Sequence, residues 1–184
     1  MQMKNWAYKL AESLLSEPLP RRWAHSLGVA ERARAIRPIL GDDAELLESA
    51  AVLHDIGYSP ALVKTGFHPL DGARFLREQK SDERIVRLVA HHTFALLEAE
   101  ERGLREELAS EFVMEDPCLV DALVYCDMTT TPDGTQTKPR ERVDEIVQRY
   151  SPDSIVGRFI QRASPEVHAT VARVDQRLAV VGSR

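Results

Sequence analysis

Two histidines and an aspartate stand where a helix of a soluble protein normally carries apolar side chains. His54 follows Leu47, Ala50 and Ala51 at i+3/i+4 spacing, His92 follows Ile85, Leu88 and Val89, and Asp127 follows Val120, Leu123 and Val124. Each therefore points where the core points, near the C-terminal end of its helix. An isolated carboxylate on such a face costs several kcal/mol unless it is paired or binds a metal. Asp55, next to His54, brings a second carboxylate to the same place. A shared cation reconciles two carboxylates and several imidazoles inside a helical bundle. These ligands suit Fe, Mn, Zn, Co or Ni, and the lack of thiolates argues against a purely structural zinc site. Each residue alone has a plainer reading: a hydrogen-bonded core histidine, a capping or ion-paired aspartate. The coincidence of several is what points to a metal. His168 lies off the Val167–Val171–Val174 stripe and reads as structural.

The order of these residues resembles a known family. His25 lies in RRWAHSLGVAERA, His54 and Asp55 in AAVLHDIGY, and Asp127 in LVYCDMTT. That order, H…HD…D, is the signature of the HD-domain superfamily of metal-dependent phosphohydrolases, and the resemblance runs from about residue 21 to 131. It implies an all-α fold of the HD type with His25, His54, Asp55 and Asp127 as metal ligands. Two further strings, GFHPLDGARFL with His68 and LVAHHTF with His91 and His92, resemble the two-metal subgroups. Those include the HD-GYP cyclic-di-GMP phosphodiesterases and the HD hydrolases of diadenosine tetraphosphate. The resemblance implies a second metal on His68 and His92, with Asp55 as the bridge. Periodicity independently favours His92 over His91, because adjacent helical residues differ by about 100° in direction. The chain departs from HD-GYP in reading HDIGY, with Tyr58 in place of a lysine, and in lacking the GYP string.

Two metals ~3.5–4 Å apart clamp a phosphate and activate water, and the charge they neutralise is usually the largest catalytic term. The protein must add phosphate-binding cations and an acid for the leaving group. Lys64, in the loop after HDIGY, is the first candidate for phosphate contact; Arg22 and Arg140 are weaker ones. Asp71, one turn beyond His68, is placed to orient a bound water or a ligand histidine, or simply to favour the helix N-terminus. The expected catalytic residues are therefore Asp55, Lys64 and Asp71. The expected cofactor is a divalent transition metal, two ions of Fe, Mn, Co, Ni or Zn, with Mg as an alternative. The expected reaction is hydrolysis of a phosphoester or phosphoanhydride of a nucleotide or dinucleotide. A catalytically silent HD-fold signalling module and a di-iron oxygenase on the same scaffold are the competing readings. Retention of every expected ligand argues against the silent one.

The elements that must hold these residues are all helical, since no run shows the period-two alternation of a strand. Residues 3–15 carry Trp6, Leu10 and Leu14 inward, before Pro18 and Pro20 break the pattern. Residues 21–36 carry Trp23, Leu27, Ala30 and Ile36 inward; Asp42 or Asp43 caps a helix over 44–56. His68-Pro69 opens a helix, and Ser81 caps one over 82–92. Residues 94–112 are helical and acidic, interrupted at Gly103, and Asp116-Pro117 starts the helix that carries Asp127. A threonine-rich loop over 129–139 follows and is expected to be a mobile substrate contact. Three closing helices are expected, one carrying Val143, Ile146, Val147 and Tyr150, one carrying Ile155, Phe159 and Ile160, and one from Pro165 with Val167, Val171, Val174 and Leu178. Without an internal repeat or low-complexity linker, residues 1–184 read as a single all-α domain, with helices 139–181 packing on the motif region.

Composition narrows the partners. A length of 184 residues fits one domain, and 24 basic against 29 acidic residues give a net charge of −5, the wrong sign for a duplex-binding surface. Apolar stretches fall far short of a membrane span, and the N-terminus shows no secretory pattern. Cys118 and Cys126 lie in one apolar pattern and read as buried, reduced thiols. These features suggest a cytoplasmic protein acting on a small nucleotide or phosphate ester, with nucleic acid and membrane disfavoured and a homodimer left open.

Overall fold

The computed structural model describes residues 2–182. The chain is helical from end to end: α1 (Gln2–Leu15), α2 (Pro20–Ala35), α3 (Ala44–Leu53), α4 (His68–Glu78), α5 (Glu83–His91), α6 (Ala95–Glu101), α7 (Arg105–Glu111), α8 (Pro117–Met128), α9 (Pro139–Arg149) and α10 (Ile155–Gly182). Among the described residues the nearest thing to a strand is one isolated bridge, Thr130 to Gln136. This is the all-α architecture expected from the periodicity.

Helix α3 is the centre. Every residue from Ala44 to Leu53 except Glu45 is buried, and α1, α2, α5 and α8 surround it. A helix enclosed on all sides needs an apolar sequence on all sides, and AELLESAAVL comes close. Its one buried carboxylate, Glu48, is satisfied by Tyr8 at 2.9 Å, with Lys4 at 3.6 Å and Arg34 at 3.4 Å.

Several helices start where their sequence says and are capped by a neighbouring residue. Asp82, rather than Ser81, opens α5 by accepting from the Arg84 amide. Asp116 caps α8 through the Cys118 amide, with Pro117 in the first turn. Asp43 precedes α3 but makes no cap bond; its carboxylate holds Arg84 instead.

Three inward faces differ from the pattern of large apolar residues. In α1 the fully buried residues are Ala7, Ala11 and Leu15, while Trp6 is exposed and Leu10 and Leu14 lie at the rim. Helices α1 and α3 thus meet through small side chains. In α2, Leu27 faces out and His25, Ser26, Val29, Ala30 and Ala33 face in. In α9, Val147 is exposed. Cys126 is buried but Cys118 is exposed.

The expected break at Pro165 does not occur: α10 runs through it. An interior proline costs ~3 kcal/mol. Phe159, Ile160, Ala163, Val167, Val171 and Val174 keep one face buried on both sides of it, and burying such side chains is worth ~1.5–3 kcal/mol each. Packing on α8, α9 and α6 therefore outweighs the lost hydrogen bond.

A candidate two-part metal centre

Five chain segments end at one point. His25 comes from the middle of α2. His54 and Asp55 follow the last turn of α3, His68 opens α4, His92 follows α5, and Asp127 sits in the last turn of α8. All six side chains are buried or nearly so.

The ligand atoms form two groups, each within 4.8 Å: His25, His54 and Asp127, and Asp55, His68 and His92. Asp55 faces both. Its Oδ2 lies 3.3 Å from His54 Nε2 and 3.9 Å from His25 Nε2. Its Oδ1 lies 3.3 Å from His68 Nε2 and 3.9 Å from His92 Nε2. His25 Nε2 is 3.1 Å from Asp127 Oδ1, and His68 Nε2 is 3.1 Å from His92 Nε2.

Helix ends set the imidazole tautomers. The last carbonyls of a helix lack intrahelical donors. The Ala51 carbonyl takes the Nδ1 proton of His54 at 2.7 Å, and the Val89 carbonyl takes that of His92 at 2.7 Å. His25 Nδ1 likewise donates to the Thr131 carbonyl at 2.9 Å. Each of these rings thus turns its Nε2 inward, the nitrogen left bare in the neutral ring, which is the form a metal requires. His54 Nε2 is buried with no hydrogen-bond partner at all. In the neutral ring, His25 Nε2 and Asp127 Oδ1 are two acceptors face to face at 3.1 Å. Orphaned or opposed lone pairs in a buried site are what a cation satisfies, so these donor sets fit a metal.

Without a cation the buried charges settle against one another, with the two carboxylates ionised, His68 and His92 neutral and His54 drawn toward its protonated form. Burial alone would raise Asp55 and Asp127; Arg22, His54 and His68 hold Asp55 well below the usual carboxylate range, and His25 and His54 do the same for Asp127. Burial lowers His68 well below an ordinary histidine and, with His54 beside it, brings His92 down to about 4. Burial would also lower His54, but Asp55 and Asp127 outweigh it and raise that ring. Carboxylates ionised and His68 and His92 neutral are the states in which these groups ligate.

Sharp backbone geometry fixes the assembly. Gly57, in the helical turn Ile56–Tyr58, lies so close to α4 that a Cβ there would be 2.0 Å from the His68 carbonyl oxygen. This contact sets His68 against Asp55. After His92, Thr93 and Phe94 adopt φ of 45° and 60°, and the reversal lets Thr93 Oγ1 donate to Asp127 Oδ2.

Of the remaining sequence candidates, only Arg22 reaches the centre. Lys64 is on the surface, its side chain 64% exposed and 3.4 Å from Glu78; it does not reach the centre. Asp71 is buried, but its carboxylate accepts from the amides of Lys64, Thr65 and Gly66 and from Thr65 Oγ1. It anchors the 64–66 loop and touches none of the clustered imidazoles. Neither therefore takes the catalytic role expected from its place near the HD string. Arg140 is exposed. Arg22 is at the centre, 2.7 Å from Asp55 Oδ2, with its guanidinium 4.1 Å over the Tyr58 ring. Tyr58 in turn stacks on His68, centroids 3.9 Å apart. His91 points away and donates to the Phe112 carbonyl at 2.7 Å.

The 129–139 loop is held rather than free. It supplies the Thr131 carbonyl to His25, and Arg21 clamps Asp133 at 2.7 Å. Gly134, at φ +81°, packs so tightly on α2 that a Cβ on Gly28 would lie 2.3 Å from its oxygen.

A cleft of about 90 Å³ opens on Asp55, His68, His92 and Asp127. Its outer wall is Arg142, Arg149 and Tyr150 around α9 and Phe159 and Ile160 of α10. Sequence reasoning missed Thr93, Arg142 and Arg149. Periodicity ranks faces of one helix, and these residues matter through contacts across the fold.

The HD domain description matches residues 22–150. The chain is similar to part of the Ribonuclease Y of Mycoplasma mycoides, 38% identical over 69 residues, which is 38% of this chain and 16% of that protein. It is likewise similar to the Ribonuclease Y of Rubrobacter xylanophilus, 36% identical over 70 residues (38% and 14%), and to that of Mesoplasma florum, 38% identical over 77 residues (41% and 15%). The chain thus spans about one-seventh of the length of these relatives. No solved structure matches it.

Proposed function

Because the chain belongs to the HD domain family, we propose that it is a metal-dependent phosphohydrolase with a dinuclear centre. Its substrate is a nucleotide or dinucleotide carrying a phosphoester or phosphoanhydride. The observation that carries this reading is the Asp55 carboxylate, one oxygen turned to each donor set. His25, His54 and Asp127 would hold one divalent ion and His68 and His92 the other, with Asp55 between them. The ions would supply an acidified water and neutralise charge on the phosphoryl oxygens.

The chain's own groups do the rest. The Nδ1 hydrogen bonds fix the rings, so the site is formed before substrate arrives. Thr93 orients Asp127. Arg22 offers a guanidinium beside Asp55, at the inner edge of the cleft. Phe159 and Ile160 limit the water that enters. Since α9 and α10 complete the cleft, they act in one catalytic unit with the helices that carry the clustered residues.

A second substrate reading comes from the relatives, which are named as ribonucleases. On it, the same centre cleaves an RNA phosphodiester. The small cleft and the net charge of −5 favour the smaller substrate.

A hydrolysis screen, with the products resolved by chromatography, separates the readings. Nucleoside mono-, di- and triphosphates, dinucleoside polyphosphates and cyclic dinucleotides are tested with Mn, Fe, Co, Ni and Mg, beside a labelled single-stranded RNA. Hydrolysis of a small nucleotide or dinucleotide, abolished by chelator, supports the proposal. Cleavage confined to RNA would transfer the chain to the second reading. Inactivity on all of them in a metal-loaded protein would contradict both.

A further inference from the structure

A second chamber, of about 300 Å³, adjoins the metal cleft. Its lining includes Arg21, Arg22, Arg142 and Arg149 and no carboxylate; Pro18, Leu19, Pro20 and Pro132 make the rest of it largely apolar. Arg22, Arg142 and Arg149 line both spaces and so form the partition between them.

The charges on this partition do not balance. Arg21 is paired with Asp133 and Arg22 with Asp55. Arg142 and Arg149 share a single carboxylate, Glu145. The four guanidiniums around the second chamber thus share three ion-pair carboxylates, with Asp127 of the metal centre the next charge that Arg142 feels, in a protein whose overall charge is −5. Arg142 is only 7% exposed, and its Nε is buried without a hydrogen-bond partner. A buried guanidinium with an unused donor normally finds a carboxylate or phosphate.

We propose that Arg142, assisted by Arg149, binds a second phosphate of the substrate, next to the one presented to the metal centre. The preferred substrate class is therefore a diphosphate-bearing nucleotide, its organic part lying against the prolines of the second chamber. This deepens the phosphohydrolase reading and rests on it for the identity of the neighbouring phosphate. Arg142 and Arg149 are specificity-determining residues; the metal ligands act on the other phosphate.

The test is direct binding, followed by kinetics. Pyrophosphate and orthophosphate are titrated calorimetrically into EDTA-dialysed protein, wild type and Arg142→Gln, Arg142→Lys and Arg149→Gln. Wild type should bind pyrophosphate at least tenfold more tightly than orthophosphate. Arg142→Gln should weaken pyrophosphate about tenfold, the loss of roughly one charge-assisted hydrogen bond. Arg142→Lys should recover part of that, and Arg149→Gln, at the more exposed residue, should show a smaller loss with native helical content. In metal-loaded protein, Arg142→Gln should raise KM for a nucleoside diphosphate more than it lowers kcat, with Arg142→Lys between it and wild type.

Equal affinity of the wild type for the two anions would overturn the proposal. So would a folded Arg142→Gln and a folded Arg149→Gln that both keep the pyrophosphate preference. If that preference depends on Arg142 but no phosphate is released from any substrate, the anion site stands and the phosphohydrolase reading fails.

Discussion

Gly57→Ala is the smallest change that should separate the two halves of the centre. A Cβ at residue 57 would sit 2.0 Å from the His68 carbonyl oxygen and 2.7 Å from the Gly72 amide nitrogen. Both are backbone atoms, so no side chain can rotate away. Moving the oxygen out to even a tight 3.0 Å contact displaces the start of α4 by about 1 Å. Metal sites tolerate ligand displacements of only ~0.2 Å. His68 should therefore leave the second donor set, while His25, His54 and Asp127, on other helices, stay in place. Displacing a group that orients a ligand costs ~10–100-fold in metal affinity, and overpacking should cost ~1–3 kcal/mol of stability. The assay is metal content by mass spectrometry after dialysis from excess manganese, with Gly182→Ala, where a Cβ meets nothing within 4 Å, as control. The control should keep about two equivalents, as expected of a dinuclear site. Gly57→Ala should fall to about one, with helical circular dichroism retained. A Gly57→Ala protein with the control's metal content and phosphate-release rate would refute the reasoning.

Other perturbations test other parts. Asp55→Ala should abolish phosphate release, a loss of at least ~3 kcal/mol of transition-state stabilisation, while circular dichroism shows the helical fold intact; retained activity would remove Asp55 from its role. Thr93→Ala deletes the hydroxyl that holds Asp127 and should weaken the first metal ~10–100-fold in competitive chelator titration. Glu98 lines the cleft wall, and burial raises its pKa despite its Arg102 partner. A raised acid pKa favours folding below the ordinary glutamate value of ~4.3 and loses that contribution as pH climbs through the raised one. Glu98→Gln should thus gain melting temperature relative to wild type as pH rises from about 4 to 7; a constant difference would show that Glu98 does not titrate in that window.

Much of the clustered site is legible in the sequence because its polar residues break a rule that the rest of the core obeys. His54, His92 and Asp127 interrupt apolar stripes, and the structure gathers them with His25, Asp55 and His68. Periodicity also separated His92 from His91, whose ring turns to Phe112. Lys64 and Asp71 lie close to the HD string in sequence but not to the clustered imidazoles in space. Their loop is folded on itself around the Asp71 carboxylate. The α1 face differs from the pattern for another reason. Size alone points to Trp6, Leu10 and Leu14 as the buried face, whereas close approach to α3 selects Ala7 and Ala11 and leaves Trp6 outside. The continuity of α10 through Pro165 depends on packing against three other helices, which no local rule sees. The arginines of α9 carry no periodic signal, because their meaning arises only when α9 closes over the cleft.

The central claim is that Asp55 stands between two metals. Anomalous diffraction from a crystal soaked in manganese tests it most directly. The account predicts two peaks about 3.5–4 Å apart, one within bonding distance of His25, His54 and Asp127, the other of His68 and His92, each touched by one Asp55 oxygen. A single peak, or two peaks that leave Asp55 outside both coordination spheres, would contradict it.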